Sequence, residues 1–200
     1  MQRSFFIRRN LAKFLLKISG WKVTGETPPN GILVGAPHTS NWDWPISLLM
    51  FWQSGIQPTV LAKKELFKPP VSWLLKATGA VALDRDNPRK TVEELVALAK
   101  AADGPFHLGI TAEGTRSKGE YWKSGFRRIA IETGLPILTV YLDAPTRTTG
   151  WGPVFYPTDD VTADMDVLRN FFGDKRGFKP ENATPPRLRE EDQDEADSGE

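Results

Sequence analysis

Five short apolar runs constrain this chain more than any other feature: GILVGA (31–36), TVLA (59–62), AVAL (80–83), FHLGI (106–110) and PILTVY (136–141). Each has the length of a strand, and the segments 43–54, 70–78, 89–102 and 124–133 between them carry helical patterns. TVEELVALAKAA (91–102) is the clearest, with Val92, Leu95, Val96 and Ala99 on one face and Pro88 before the first turn. Strands separated by helices predict an α/β domain with a mixed, largely parallel sheet covered by helices. In such sheets ligands sit at strand ends and in the loops that follow them. PHTSNWD, DRDNPRK and TAEGTRSKG occupy those positions after the first, third and fourth runs.

Two hundred residues suffice for one domain with a sizeable core, and the mean hydropathy of −0.37 is that of an ordinary globular chain. Cysteine is absent, which excludes disulfides, thiolate nucleophiles and thiolate zinc sites; two histidines do not make a three-histidine metal cage. No metal is expected. The net charge of +1 hides a gradient: residues 1–22 hold six cations and no acid, whereas 181–200 hold eight acids against Arg187 and Arg189. The nearly neutral body argues against a nucleic-acid partner. The basic end suits an anionic surface.

The chain divides into a basic amphipathic helix within 1–22, a main domain over 23–180 and an acidic tail over 181–200 with too little apolar content to order itself. In the first segment Ile7, Leu11, Phe14, Leu15 and Ile18 share a helical face, with Arg9, Lys13 and Lys17 on a separate stripe, so a helix spans roughly 4–19. One reading packs that face on the core; the other lays it on anionic lipid, with Phe5, Phe6 and Leu16 widening the apolar surface. The second is favoured. The longest uncharged stretch, Trp44–Ala62, is densely apolar only from Ile46 to Trp52, too short to span a bilayer.

His38 and Asp43 are the first candidates for chemistry. Five residues apart, they meet only if the chain turns between them, and Ser40, Asn41 and Pro45 suit a strand–turn–helix that folds Asp43 back. A carboxylate on one imidazole nitrogen leaves the other to take a proton from a hydroxyl. The alternative is a helix-capping Asp43 beside a loop histidine. In EGTRS (113–117), Gly114 allows close backbone approach, Thr115 and Ser117 offer hydroxyls, and Arg116 offers a planar fork for phosphate, unless the segment is a plain turn. Arg85 adds a second cation near the same edge, with Lys118 and Lys123 extending the field. His107 alternates with Phe106 and Leu108 and reads as a core or strand-face residue. Trp42, Trp44, Phe51 and Trp52 suit either core packing or an acyl-facing surface.

Taken in order, HTSNWD, DRD and EGTRS resemble the motifs of the glycerolipid acyltransferases typified by the 1-acylglycerol-3-phosphate acyltransferases. WKSG (122–125) and Pro136 in GLPILTV are similar to two further elements, and the resemblance covers roughly residues 30–141. The chain departs from the pattern at Pro37, where asparagine is frequent, and at Ala112, where proline is. The resemblance implies acyl transfer from an acyl-CoA or acyl-carrier-protein thioester, a co-substrate rather than a bound cofactor, to a lysophospholipid hydroxyl. His38 would be the base and Asp43 its orienter. Arg85, Glu113, Gly114, Thr115, Arg116, Ser117 and Lys123 would form the phosphate-side acceptor site, with Glu113 orienting Arg116 or holding the loop. It also implies a peripheral or monotopic enzyme on the cytoplasmic face of a membrane. Acylation of another lipid hydroxyl, a metal-dependent hydrolase and a catalytically idle lipid-binding module are the rival readings.

Overall fold

The computed structural model describes residues 2–63, 67–69, 72, 75, 78–83 and 87–192. Its elements run α1 (Gln2–Ile18), β1 (Lys22–Thr24), β2 (Gly31–Ala36), α2 (Asp43–Ser54), β3 (Thr59–Lys63), β4 (Ala80–Leu83), α3 (Pro88–Lys100), β5 (His107–Ile110), α4 (Gly125–Thr133), β6 (Ile137–Asp143), β7 (Thr148–Phe155) and α5 (Val161–Phe172). All five apolar runs are strands. The expected helix over 70–78 falls largely outside the described residues.

One seven-stranded sheet has the order β1-β7-β6-β2-β5-β3-β4, every pair parallel except β6 and β7. Central parallel strands are covered on both faces, which is why β2 and β6 read as continuous apolar runs. Successive β2 side chains point to opposite layers. Ile32 and Val34 join Leu95, Phe126, Ile129, Met165, Leu168 and Phe172 of α3, α4 and α5, while Leu33 packs with Met50 and Phe51 of α2. The result is a sheet between two helical layers.

Three features differ from the sequence reading. β7 returns antiparallel to β6, interrupted by Gly150, Gly152 and Pro153, and β1 pairs with it at the edge. α5 begins at Asp160, whose carboxylate accepts from the Ala163 amide, and buries Met165, Leu168 and Phe172. Residues 181–192 of the acidic tail are held against the domain by anchors that composition averaged over 181–200 concealed. Leu188 is fully buried in the main core, and Glu191 is buried against Arg169 at 2.7 Å and the Leu188 amide.

The α1 helix forms, but its core-facing side is not the Ile7–Leu11–Phe14–Ile18 stripe. Ala12 and Leu16 are buried, the latter with Trp21 and Leu142, while Phe6, Ile7, Leu11, Phe14 and Ile18 stand exposed. Arg8 lies over the Trp52 ring and donates to Gln57, tying α1 to the end of α2. No helix among the described residues is long and apolar enough to cross a membrane.

Candidate active site

Because β2 and β5 are adjacent and parallel, with Val34 opposite Ile110, the loops that follow them open at the same sheet edge. HTSNWD leaves β2 through a cis Ala36–Pro37 peptide, and TAEGTRS leaves β5. His38 and Glu113 are thereby neighbours, 75 residues apart in sequence.

Asp43 opens α2, yet its carboxylate does not cap that helix. Oδ2 turns back to accept the Thr39 amide at 2.8 Å and the Ser40 amide at 2.7 Å, and it lies 3.3 Å from His38 Nδ1. The chain folds between His38 and Asp43 as the spacing requires, and the capping alternative falls. Asp43 is buried, its Oδ1 without a hydrogen-bond partner among the described residues. A carboxylate at Nδ1 favours the tautomer with hydrogen on that nitrogen. Nε2 makes no hydrogen bond among the described residues, and the imidazole is 15% exposed, enough for a hydroxyl to approach. The 3.3 Å separation is long for a hydrogen bond, and catalytic contacts of this kind tighten on substrate binding.

Glu113 is 2% exposed. Its Oε1 accepts the His38 amide and its Oε2 accepts the Thr184 amide at 3.0 Å. Of the two roles expected of it, orienting Arg116 or holding the loop, the carboxylate takes the second: it is a buried tie on the histidine's own backbone. Burial pushes its pKa up, against the opposing pull of those two amides and of nearby His38.

The next four residues behave differently. Gly114 takes a left-handed φ of 69°, and Gly114, Thr115, Arg116 and Ser117 are exposed. Arg116 has no hydrogen-bond partner among the described residues. Lys123 is exposed too, its stem passing so close to Gly114 that a Cβ there would meet Cγ at 3.2 Å. Two donor-bearing side chains therefore flank one tight turn beside the dyad, an arrangement able to hold an anionic oxygen cluster. Arg85 lies outside the described residues.

His107 is buried in β5, its Nε2 3.0 Å from the Pro28 carbonyl, which is the structural role expected. Phe51 is in the core against Trp151, Trp44 packs at its margin, and Trp42 is exposed beside the dyad. A small cavity lined by Gly35, Pro37, His38, Asp43, Ser47 and Thr111 lies against the pair. A larger surface groove of about 380 Å³, lined by Ala130, Ile131, Tyr156 and Pro157, is elsewhere and holds no histidine. Thr39 and Thr184 are site-building residues that the sequence reading missed, whereas Ser40 figures in it as a turn former. Thr39 is legible only as an amide trapped between His38 and a returning carboxylate, and Thr184 carries no sequence signal.

A family model described as Acyltransferase matches residues 21–143. Among solved structures, the 1-acyl-sn-glycerophosphate acyltransferase PlsC from Thermotoga maritima is similar in fold, with a TM-score of 0.57 at 19% identity over 84% of this chain and 75% of that one. No curated protein matches the chain.

Proposed function

This chain belongs to the acyltransferase family, and from that premise we propose that it esterifies a lysophospholipid hydroxyl with a fatty acyl group carried as an acyl-CoA or acyl-carrier-protein thioester. The acceptor is 1-acylglycerol-3-phosphate and the product phosphatidic acid. The observation that carries this reading is the His38–Asp43 pair, held at Nδ1 with Nε2 open at the edge where Arg116 and Lys123 stand.

An alcohol is a poor nucleophile at neutral pH, and a positioned base contributes about 10²–10⁴-fold. His38 Nε2 takes the hydroxyl proton as the oxygen attacks the thioester carbonyl carbon. The tetrahedral intermediate then expels the thiolate, the C–S bond breaks, and the imidazolium returns the proton to sulfur. Asp43 stabilises the imidazolium formed in between. Arg116 and Lys123 hold the acceptor phosphate, with Gly114 letting it approach the backbone.

We further propose a position on an anionic membrane surface, on its cytoplasmic side; the exposed face of α1 supports the membrane contact. Phe6, Ile7, Leu11, Phe14 and Ile18 meet the acyl boundary while Arg9, Lys13 and Lys17 reach headgroups.

The test is transfer of labelled acyl groups from both donor types to a panel of lysolipids, with His38→Ala alongside the wild type. Transfer to lysophosphatidic acid should fall by about 10²–10⁴-fold in the variant without loss of fold. Transfer confined to another acceptor would replace the named substrate. No transfer from either donor to any acceptor would overturn the reading.

A further inference from the structure

The residues matched by the family model end at Asp143, yet both members of the dyad are braced by chain that follows much later. Gly177 sits so close to Thr39 that a Cβ there would clash with Oγ1, and the Lys179 amide donates to that same Oγ1 at 3.2 Å. Thr39 in turn supplies an amide to Asp43. Thr184, 3% exposed, makes three further ties. Its amide donates to Glu113 Oε2, whose partner oxygen holds the His38 amide; its Oγ1 accepts the Gly119 amide at 2.8 Å; and its carbonyl accepts Trp122 Nε1 at 2.8 Å. The far end is pinned by Leu188 in the core, by Glu191 on Arg169, and by Tyr121 donating to Asp192 at 2.5 Å.

We propose that residues 177–192 form a strap that positions the active site, with Thr184 its central positioning residue: the Thr184 amide, through Glu113, sets the His38 backbone, and the Thr184 hydroxyl, through Gly119, sets the loop bearing Arg116. The proposal rests on the transferase reading above for its kinetic consequences. Its structural content stands apart from that reading. The two ties serve different steps, so they separate. Loss of the hydroxyl loosens the acceptor loop and acts on KM, whereas loss of the amide loosens the base and acts on kcat.

Three variants divide these roles. Thr184→Ser keeps both groups. Thr184→Val keeps the shape and the amide but leaves the Gly119 N–H unpaired. Thr184→Pro removes the amide as well as the hydroxyl, at a position where the preceding Ala183, at ψ 132°, already has the extended backbone that proline demands, so its difference from Thr184→Val isolates the amide. Thr184→Val should raise the KM for lysophosphatidic acid and the exchange rate of the Gly119 amide about tenfold or more, with kcat near wild type. Thr184→Pro should share the raised KM and the fast Gly119 exchange of Thr184→Val and, beyond them, lower kcat and speed exchange at His38 by a similar factor. Thr184→Ser should match wild type in every readout.

Equal kinetics and exchange in all four proteins would overturn the strap, as would a Ser variant damaged as severely as Val. Should a variant fail to fold, amide exchange in the unmodified protein decides. His38 and Gly119 protected alongside the core support the strap; exchange at free-loop rates overturns it. A wild type that transfers no acyl group sinks the transferase reading alone, and the exchange comparison still judges the strap.

Discussion

The loops after β2 and β5 leave neighbouring parallel strands at one sheet edge, yet they are built in opposite ways. Thr39, Ser40 and Asp43 are buried and bonded to one another, while Gly114, Thr115, Arg116 and Ser117 stand in solvent. In the proposed reaction the first loop holds a proton acceptor whose usefulness depends on sub-ångström placement, which its buried bonds provide in advance. In the same proposal the second loop offers charge to a ligand that brings its own counter-charge, and exposure lets the ligand displace water. Glu113 belongs to the second loop by sequence and to the first by structure. Its carboxylate is spent inside the protein.

That contrast predicts graded consequences. Beyond the loss expected of His38→Ala, Glu113→Gln should be the more damaging change, because an amide group would face a backbone N–H where an oxygen now accepts. We expect kcat to fall about 10–100-fold with the acceptor KM nearly constant, the scale of a lost charge-assisted bond. A rise in KM at constant kcat would instead return Glu113 to the acceptor site.

The same residue gives a pH signature. Its folded pKa is raised by burial, so between the ordinary glutamate value and that raised value the native state binds more protons than the unfolded chain. Its contribution to stability therefore declines as pH climbs through that window and is recovered on acidification. Denaturant titrations at several pH values should show Glu113→Gln without this declining component. An unchanged slope would contradict the burial account.

Arg116→Lys should act on the other side of the comparison. It would raise the acceptor KM about tenfold through loss of the planar fork, leaving the melting temperature where it was. Unchanged kinetics would remove Arg116 from the phosphate site. Last comes the double change Leu11→Ser and Phe14→Ser on α1. It should alter folding by only about 0.5 kcal/mol while weakening co-sedimentation with anionic vesicles. Undiminished co-sedimentation would detach α1 from the membrane reading. Deleting the helix is a poorer test, because it would also remove the buried Leu16 and uncover Trp21 and Leu142.

How much was legible follows from the range of the interactions. β2 and β6 are uniform apolar runs, and His38 and Asp43 lie close enough in sequence for turn formers to imply their meeting. β7 was hidden because Gly150, Gly152 and Pro153 break its pattern, and only its antiparallel neighbour makes it a strand. α5 was readable in principle, with Val161, Met165, Leu168 and Phe172 at helical spacing behind Asp160. The direction of α1 was not, since periodicity locates an apolar face without saying whether protein or something else covers it. Glu113 meeting Thr184 spans 71 residues, and no local signal announces it.

The late position of Thr184 has a consequence in time. A ribosome adds about 5–20 residues each second, so His38 and Asp43 are synthesised on the order of ten seconds before the amide that completes Glu113's pair of donors. Once Pro136 has been made, the nascent chain displays every motif that carries the resemblance, with His38 still unbraced. The brace on His38 waits for Thr184, so a loop made early is tied down only by chain made long after it.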